Sequence, residues 1–125
     1  MIIEVSNGEI IDKISILEIK CLYISDEDKL EHVKKEYEYL VKEVTQNLDF
    51  NFDSELYISL YNTNKELWDI EDEIRIKEKN KEYDDEFIRL ARSVYITNDK
   101  RAKIKNNINK LTKSNFIEQK SYESY

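Results

Sequence analysis

Asn98, Arg101, Lys105 and Asn109 follow one another at steps of three and four residues, the spacing of a single helix face. Phe87, Leu90, Ala91, Val94, Ala102 and Ile108 share that face, so its upper half is apolar and its lower half polar where a core would continue. Burying an unpaired cation or amide costs on the order of several kcal/mol, so these groups need partners. Glu71 lies between Leu67 and Ile74, with Asn64 upstream on the same side. Glu18 sits near the Ile11/Ile14 edge of an earlier segment, and Lys13 and Lys20 flank the Leu17/Ile24 edge. Together Lys13, Glu18, Lys20, Asn64, Glu71, Asn98, Arg101, Lys105 and Asn109 define an inward polar cluster with more cations than anions. An anionic small molecule (a phosphate, a carboxylate or a sugar nucleotide) would satisfy such a surplus. Two structural explanations compete with it: the face rotates outward and leaves Arg101 and Lys105 in water, or Arg101 forms an ion pair with Glu71.

A second chemistry is written in carboxylates. Glu66, Asp69 and Glu73 stand at i, i+3 and i+7, and Glu9 with Asp12 repeats the E-x-x-D spacing. These pairs resemble those with which all-helical nucleotide pyrophosphohydrolases hold Mg²⁺, a hard cation that prefers carboxylate oxygen. Only under that alternative is a metal cofactor implied. A chain this rich in Asp and Glu also produces the spacing as a solvated acidic face.

Helices must position all of these groups. The chain has one glycine, Gly8, and no proline, which excludes most sandwiches and barrels and any glycine-rich phosphate loop. The apolar spacing predicts a helix from about Glu9 to Ile24, with Ser6 and Glu9 as a capping box, apolar on two sides and therefore central. A second helix follows Ser25 and reaches about Leu48; its single stripe of Leu30, Val33, Tyr37, Leu40, Val44 and Leu48 marks an outer helix. Asp49 to Asp53 reads as a loop, and Ser54 or Asp53 caps a third helix to about Lys79. Asn80 ends that helix in the left-handed conformation that Asn tolerates. Asp84 caps a fourth helix to about Lys113, with Tyr83 and Ile88 as a hydrophobic staple. MIIEV is a short extended strap or strand, and Ser114 to Tyr125 a tail whose EQKSY segment either frays or closes over the polar end. The prediction is all-α: one four-helix bundle-like domain over residues 1–125.

The 125 residues carry a formal net charge of −7, which argues against a nucleic-acid or anionic-membrane partner. Cys21 and His32 are single, which removes disulfide frameworks and histidine-rich metal sites and disfavours a Ser-His-Asp arrangement. Charges interrupt every apolar run, and the first residues lack a basic leader, so a cytoplasmic setting is expected. Trp68 and Tyr61 read as core margin, Cys21 as a small buried hydrophobe and His32 as solvated.

GEIIDKISILEIK, LWDIEDEIR, FIRLARSVYITNDKRAKIKNNIN and the terminal EQKSY resemble an uncharacterised family, domain of unknown function sixty-one sixty-five. The resemblance covers nearly the whole chain. It implies a single-domain, all-helical bacterial or phage protein associated with sugar-nucleotide or surface-polysaccharide assembly, and it brings no established activity. Its motif positions match at Glu9, Asp12, Lys13, Glu18 and Lys20, then at Arg92, Ser93, Tyr95, Asn98, Arg101, Lys105 and Asn109, and in the tail at Lys120, Ser121 and Tyr122. Arg101 and Lys105 are expected to supply charge, with Arg92 from the next face. Asn98 and Asn109 are expected to orient a ligand, and the tail with Lys120 and Tyr122 to act as a lid. A third possibility is an interaction module, in which the third helix or the tyrosine-rich surface docks a second copy or another subunit.

Overall fold

A computed structural model describes residues 1–125 and contains four helices and no strand: α1 (Asn7–Tyr23), α2 (Glu27–Asn47), α3 (Glu55–Lys79) and α4 (Asp85–Leu111). α1 packs against each of the other three, α3 packs along α4, and the backbone of α2 lies beside that of α1. The two-sided apolar pattern of α1 and the single stripe of α2 account for this arrangement. The central core joins Ile11 and Ile14 of α1, Val44 of α2, Tyr57 and Leu60 of α3, and Ile104 and Ile108 of α4. Ile104 extends the apolar face predicted for α4. The loop between α2 and α3 contributes as well, because Phe50 and Phe52 set their rings edge-on to Tyr57.

The helix starts follow side-chain chemistry. Ser6, Asp26, Ser54 and Asp84 each accept a backbone N–H from the residue three positions later. α1 therefore begins at Asn7, two residues ahead of the predicted start, and the cap of α2 is Asp26. Tyr83 and Ile88 form no buried staple: both are exposed, and Tyr83 meets the edge of Phe87 instead.

The C-termini of α3 and α4 differ from expectation in a shared way. Asn80 stays right-handed, and the left-handed position falls on Lys81, φ 54°. The Glu82 amide then bonds the Lys77 carbonyl at 2.9 Å and the Lys81 amide bonds Glu78 at 3.0 Å, which is a Schellman turn. α4 ends likewise at Leu111, with Lys113 at φ 55° and the Ser114 amide on the Asn109 carbonyl at 2.8 Å. That second turn aims the chain back at the start of α1. No helix is long and apolar enough to cross a membrane.

Candidate functional site

Gly8, Asp12, Ser15 and Ile19 succeed one another along α1 at steps of four, three and four, and all four are buried. This stripe receives the polar half of α4. Asp12, 1% exposed, accepts Nε of Arg101 at 2.9 Å through Oδ1, and Nη2 of Arg101 through Oδ2. The fork is bidentate, the arrangement for which a planar guanidinium is built. Asn64 of α3 donates to the same Oδ1 at 2.8 Å and to Ser15 Oγ at 2.7 Å. Ser15 Oγ in turn donates to the Asp12 carbonyl at 2.7 Å. Three helices thus meet on one buried carboxylate. Its hydrogen bond raises the Arg101 pKa further against the opposing effect of burial.

One turn further along α4, the buried Lys105 ammonium lies 2.8 Å from Glu9 and 3.3 Å from Glu118 of the tail. Burial pulls its pKa down, but the Glu9 hydrogen bond and the fields of Asp12, Glu9 and Glu118 outweigh that, so it ends raised. Asn109 completes the row: its Oδ1 accepts the Gly8 amide at 2.6 Å. Asn7 donates its amide to Ser114 Oγ at 3.0 Å, and Ser6 Oγ accepts the Glu9 amide at 3.2 Å. The Asn7 and Gly8 N–H groups are therefore capped by the end of α4 and the turn after it, and that of Glu9 by Ser6. Gly8 is required by this approach, since a Cβ there would stand 2.5 Å from the Lys105 carbonyl oxygen and 2.9 Å from Asn109 Oδ1.

Of the predicted cluster, the structure gathers Asn64, Arg101, Lys105 and Asn109. Lys13 turns toward α2, where it pairs with Glu36 at 2.9 Å. Lys20 is half-buried and forms no ion pair. Glu18 accepts the Tyr57 hydroxyl at 2.5 Å, and burial, followed by this bond, raises the Tyr57 pKa. Glu71 pairs with Arg75 at 3.4 Å, so the Arg101–Glu71 pair is replaced by Arg101–Asp12. Arg92 is exposed. Tyr95 and Tyr125 pack edge to face, and Lys120 lies over the Tyr122 ring. The expected cation surplus is corrected: Asp12, Glu9 and Glu118 neutralise the two inward cations.

The carboxylates assigned to a metal are separated for the same reason. Asp12 and Glu9 are held by Arg101 and Lys105, whereas Glu66, Asp69 and Glu73 border a different hollow beside Lys65 and Arg89. No three acidic, histidine or cysteine side chains converge to hold an ion. Ser15 and Gly8 were absent from the sequence expectation, although a lone glycine in register with Asp12 and a serine on one helix face was the readable signal.

Beside the Asp12 fork, α1, α3 and α4 border an open cleft of about 460 Å³. Asn64, Trp68, Arg75, Asn98 and Arg101 line it, with Glu71 and Asp72 at its α3 edge. The indole of Trp68 is stacked on Tyr23, centroids 5.3 Å apart at 15°. Nε and Nη2 of Arg101 are taken by Asp12, which leaves Nη1 without a protein acceptor.

Fold and site define an all-α four-helix domain organised around a buried aspartate–arginine fork. The chain belongs to a family of unknown function (DUF6165), whose model matches residues 1–125. No curated protein and no solved structure matches it.

Proposed function

We propose that the chain is a binding domain for a small anionic molecule of the phosphate or sugar-nucleotide type, seated in the cleft between α1, α3 and α4. The observation that carries this reading is Arg101, which Asp12 fixes through Nε and Nη2 and which lines a cleft together with Arg75, Asn98 and Trp68. A guanidinium already held in one orientation loses little freedom when it takes a phosphate oxygen. Arg75 and Asn98 offer further donors, the indole offers a flat apolar surface, and Glu71 and Asp72 can accept ring hydroxyls. Donors, an aromatic plane and carboxylates lining one cleft suit a ligand with a charged group and a hydroxylated ring. The setting we attach to such a ligand is surface-polysaccharide assembly, which the family resemblance implies.

Trp68 is the single tryptophan, so its fluorescence reports on this cleft alone. Titration with a uridine diphosphate sugar should shift or quench that emission, and Arg75→Ala and Asn98→Ala should each weaken the response. Unchanged emission up to about 1 mM ligand, the limit for a binding free energy near −4 kcal/mol, would remove the reading.

A further inference from the structure

Four apolar side chains precede α1, namely Met1, Ile2, Ile3 and Val5, and all are exposed, Ile2 completely. Three more are exposed around the end of α4: Leu111 on its last residue, and Phe116 and Ile117 in the tail. Two hydrogen bonds bring the groups together. The Asn7 amide donates to Ser114 Oγ at 3.0 Å, and Asn115 Nδ2 donates to Glu4 Oε1 at 2.8 Å. The strap therefore runs beside the start of the tail, and the seven side chains share one end of the bundle. Charged residues make up 38% of the chain, yet Met1–Val5 and Ser114–Ile117 hold only Glu4, which Asn115 already engages. Exposed apolar side chains with the charges removed are the composition of an interface core rather than of a solvated surface. The strap is also open along its backbone, since no N–H or C=O of Met1–Val5 pairs with backbone elsewhere in the chain.

We propose that a second copy of this chain docks on this end of the bundle, strap against strap about a twofold axis. Unpaired, non-helical backbone is an edge that another such segment can match, and an antiparallel pairing lets one strap serve as its own complement. Large apolar side chains bury about 150–250 Å² each, so the patch offers on the order of 800 Å², the face that each partner gives to a stable interface. A partner selected by charge would find almost none to read here. The net charge of −7 works against an anionic membrane as the occupant.

Sedimentation of the whole chain between about 1 and 100 μM tests this. The mass should rise from the 15.1 kDa of one chain toward twice that value. Ile3→Asp and Phe116→Asp should each weaken association at least about tenfold. Ile88→Asp, an equally exposed site at the opposite end of α4, should leave it unchanged. All three positions are exposed, so far-UV circular dichroism should show each variant folded. The amides of Ile3, Glu4 and Val5 should exchange more slowly at high protein concentration than at low. A monomer at every concentration, a dimer indifferent to the Ile3→Asp/Phe116→Asp pair, amide exchange independent of concentration, or a monomer that pellets with phosphatidylcholine vesicles would overturn the proposal. Trp68 fluorescence reads the separate cleft, so the two proposals fail independently.

Discussion

Asp12 and Arg101 stand 89 residues apart in the chain, yet form a single planar unit in the interior. The carboxylate is 1% exposed and the guanidinium side chain 27%, so only the arginine retains a route to water. Removing one partner therefore has unequal consequences. Arg101→Ala strands a buried carboxylate and should cost about 3 kcal/mol, the lower end of what breaking a buried pair costs. Asp12→Asn leaves a cation that can reach solvent and should cost less. In urea unfolding, Asp12→Ala/Arg101→Ala should be more stable than the sum of the single losses implies, by about 2 kcal/mol. Strict additivity would show that the fork contributes little.

Gly8→Ala reverses a familiar sign. Within a helix the exchange normally stabilises by about 0.5–1 kcal/mol. Here the added methyl meets the Lys105 carbonyl, which is backbone and cannot step aside. We expect a loss of about 1–3 kcal/mol, read as a lower Tm.

Lys81 and Lys113 occupy left-handed backbone that glycine adopts freely. Lys81→Gly and Lys113→Gly should each stabilise by about 0.5–1 kcal/mol, measured as a raised urea midpoint. Both side chains are exposed and neither forms an ion pair, so nothing else is lost.

Alkaline pH should unfold the protein through Tyr57 and Lys105. Both hold their proton more tightly when folded than when unfolded. Their contribution is complete below the ordinary values of about 10 and 10.4 and is lost as pH rises toward their folded pKa values. Stability should fall from about pH 10 upward, by at most about 1.4 kcal/mol per pH unit for each proton. Tyr57→Phe should flatten the decline in urea midpoint against pH; an equal slope in that variant would exclude Tyr57 as a contributor.

Glu118 ties the tail to the bundle through Lys105, and its carbonyl also accepts Asn106 Nδ2 at 3.3 Å. The ion pair is partly exposed and is worth at most about 1 kcal/mol. Glu118→Gln should therefore speed trypsin cleavage at Lys120 up to about fivefold while leaving the helical circular dichroism unchanged.

The helices and their order were legible because apolar spacing and capping side chains are local signals. Arg101, Lys105 and Asn109 were legible as inward groups because charge on an apolar face stands out. Their partners were not. Glu71 looked like the match for Arg101 because it interrupts an apolar stripe, but the crossing of α1 over α4 brings Asp12 there instead. Asp12 and Glu9 share a spacing that fits metal ligands equally well, and only the approach of α4 at Gly8 decides between cation partners and metal ligands. Pairing across helices depends on rotation about each axis, which composition does not encode. The left-handed lysines were hidden for a similar reason: hydrogen bonds of the finished turn hold them, against their own preference.

The open amides of Asn7 and Gly8 find their acceptors 107 and 101 residues later. A ribosome adding about 5–20 residues per second needs some 5–20 s to cross that interval. Throughout it, α1 has bare amides at its leading end and a buried-type carboxylate without its partner. The nascent chain can form its turns early but cannot lock them. The end of α4 and the turn after it therefore act as the closing stitch of this domain.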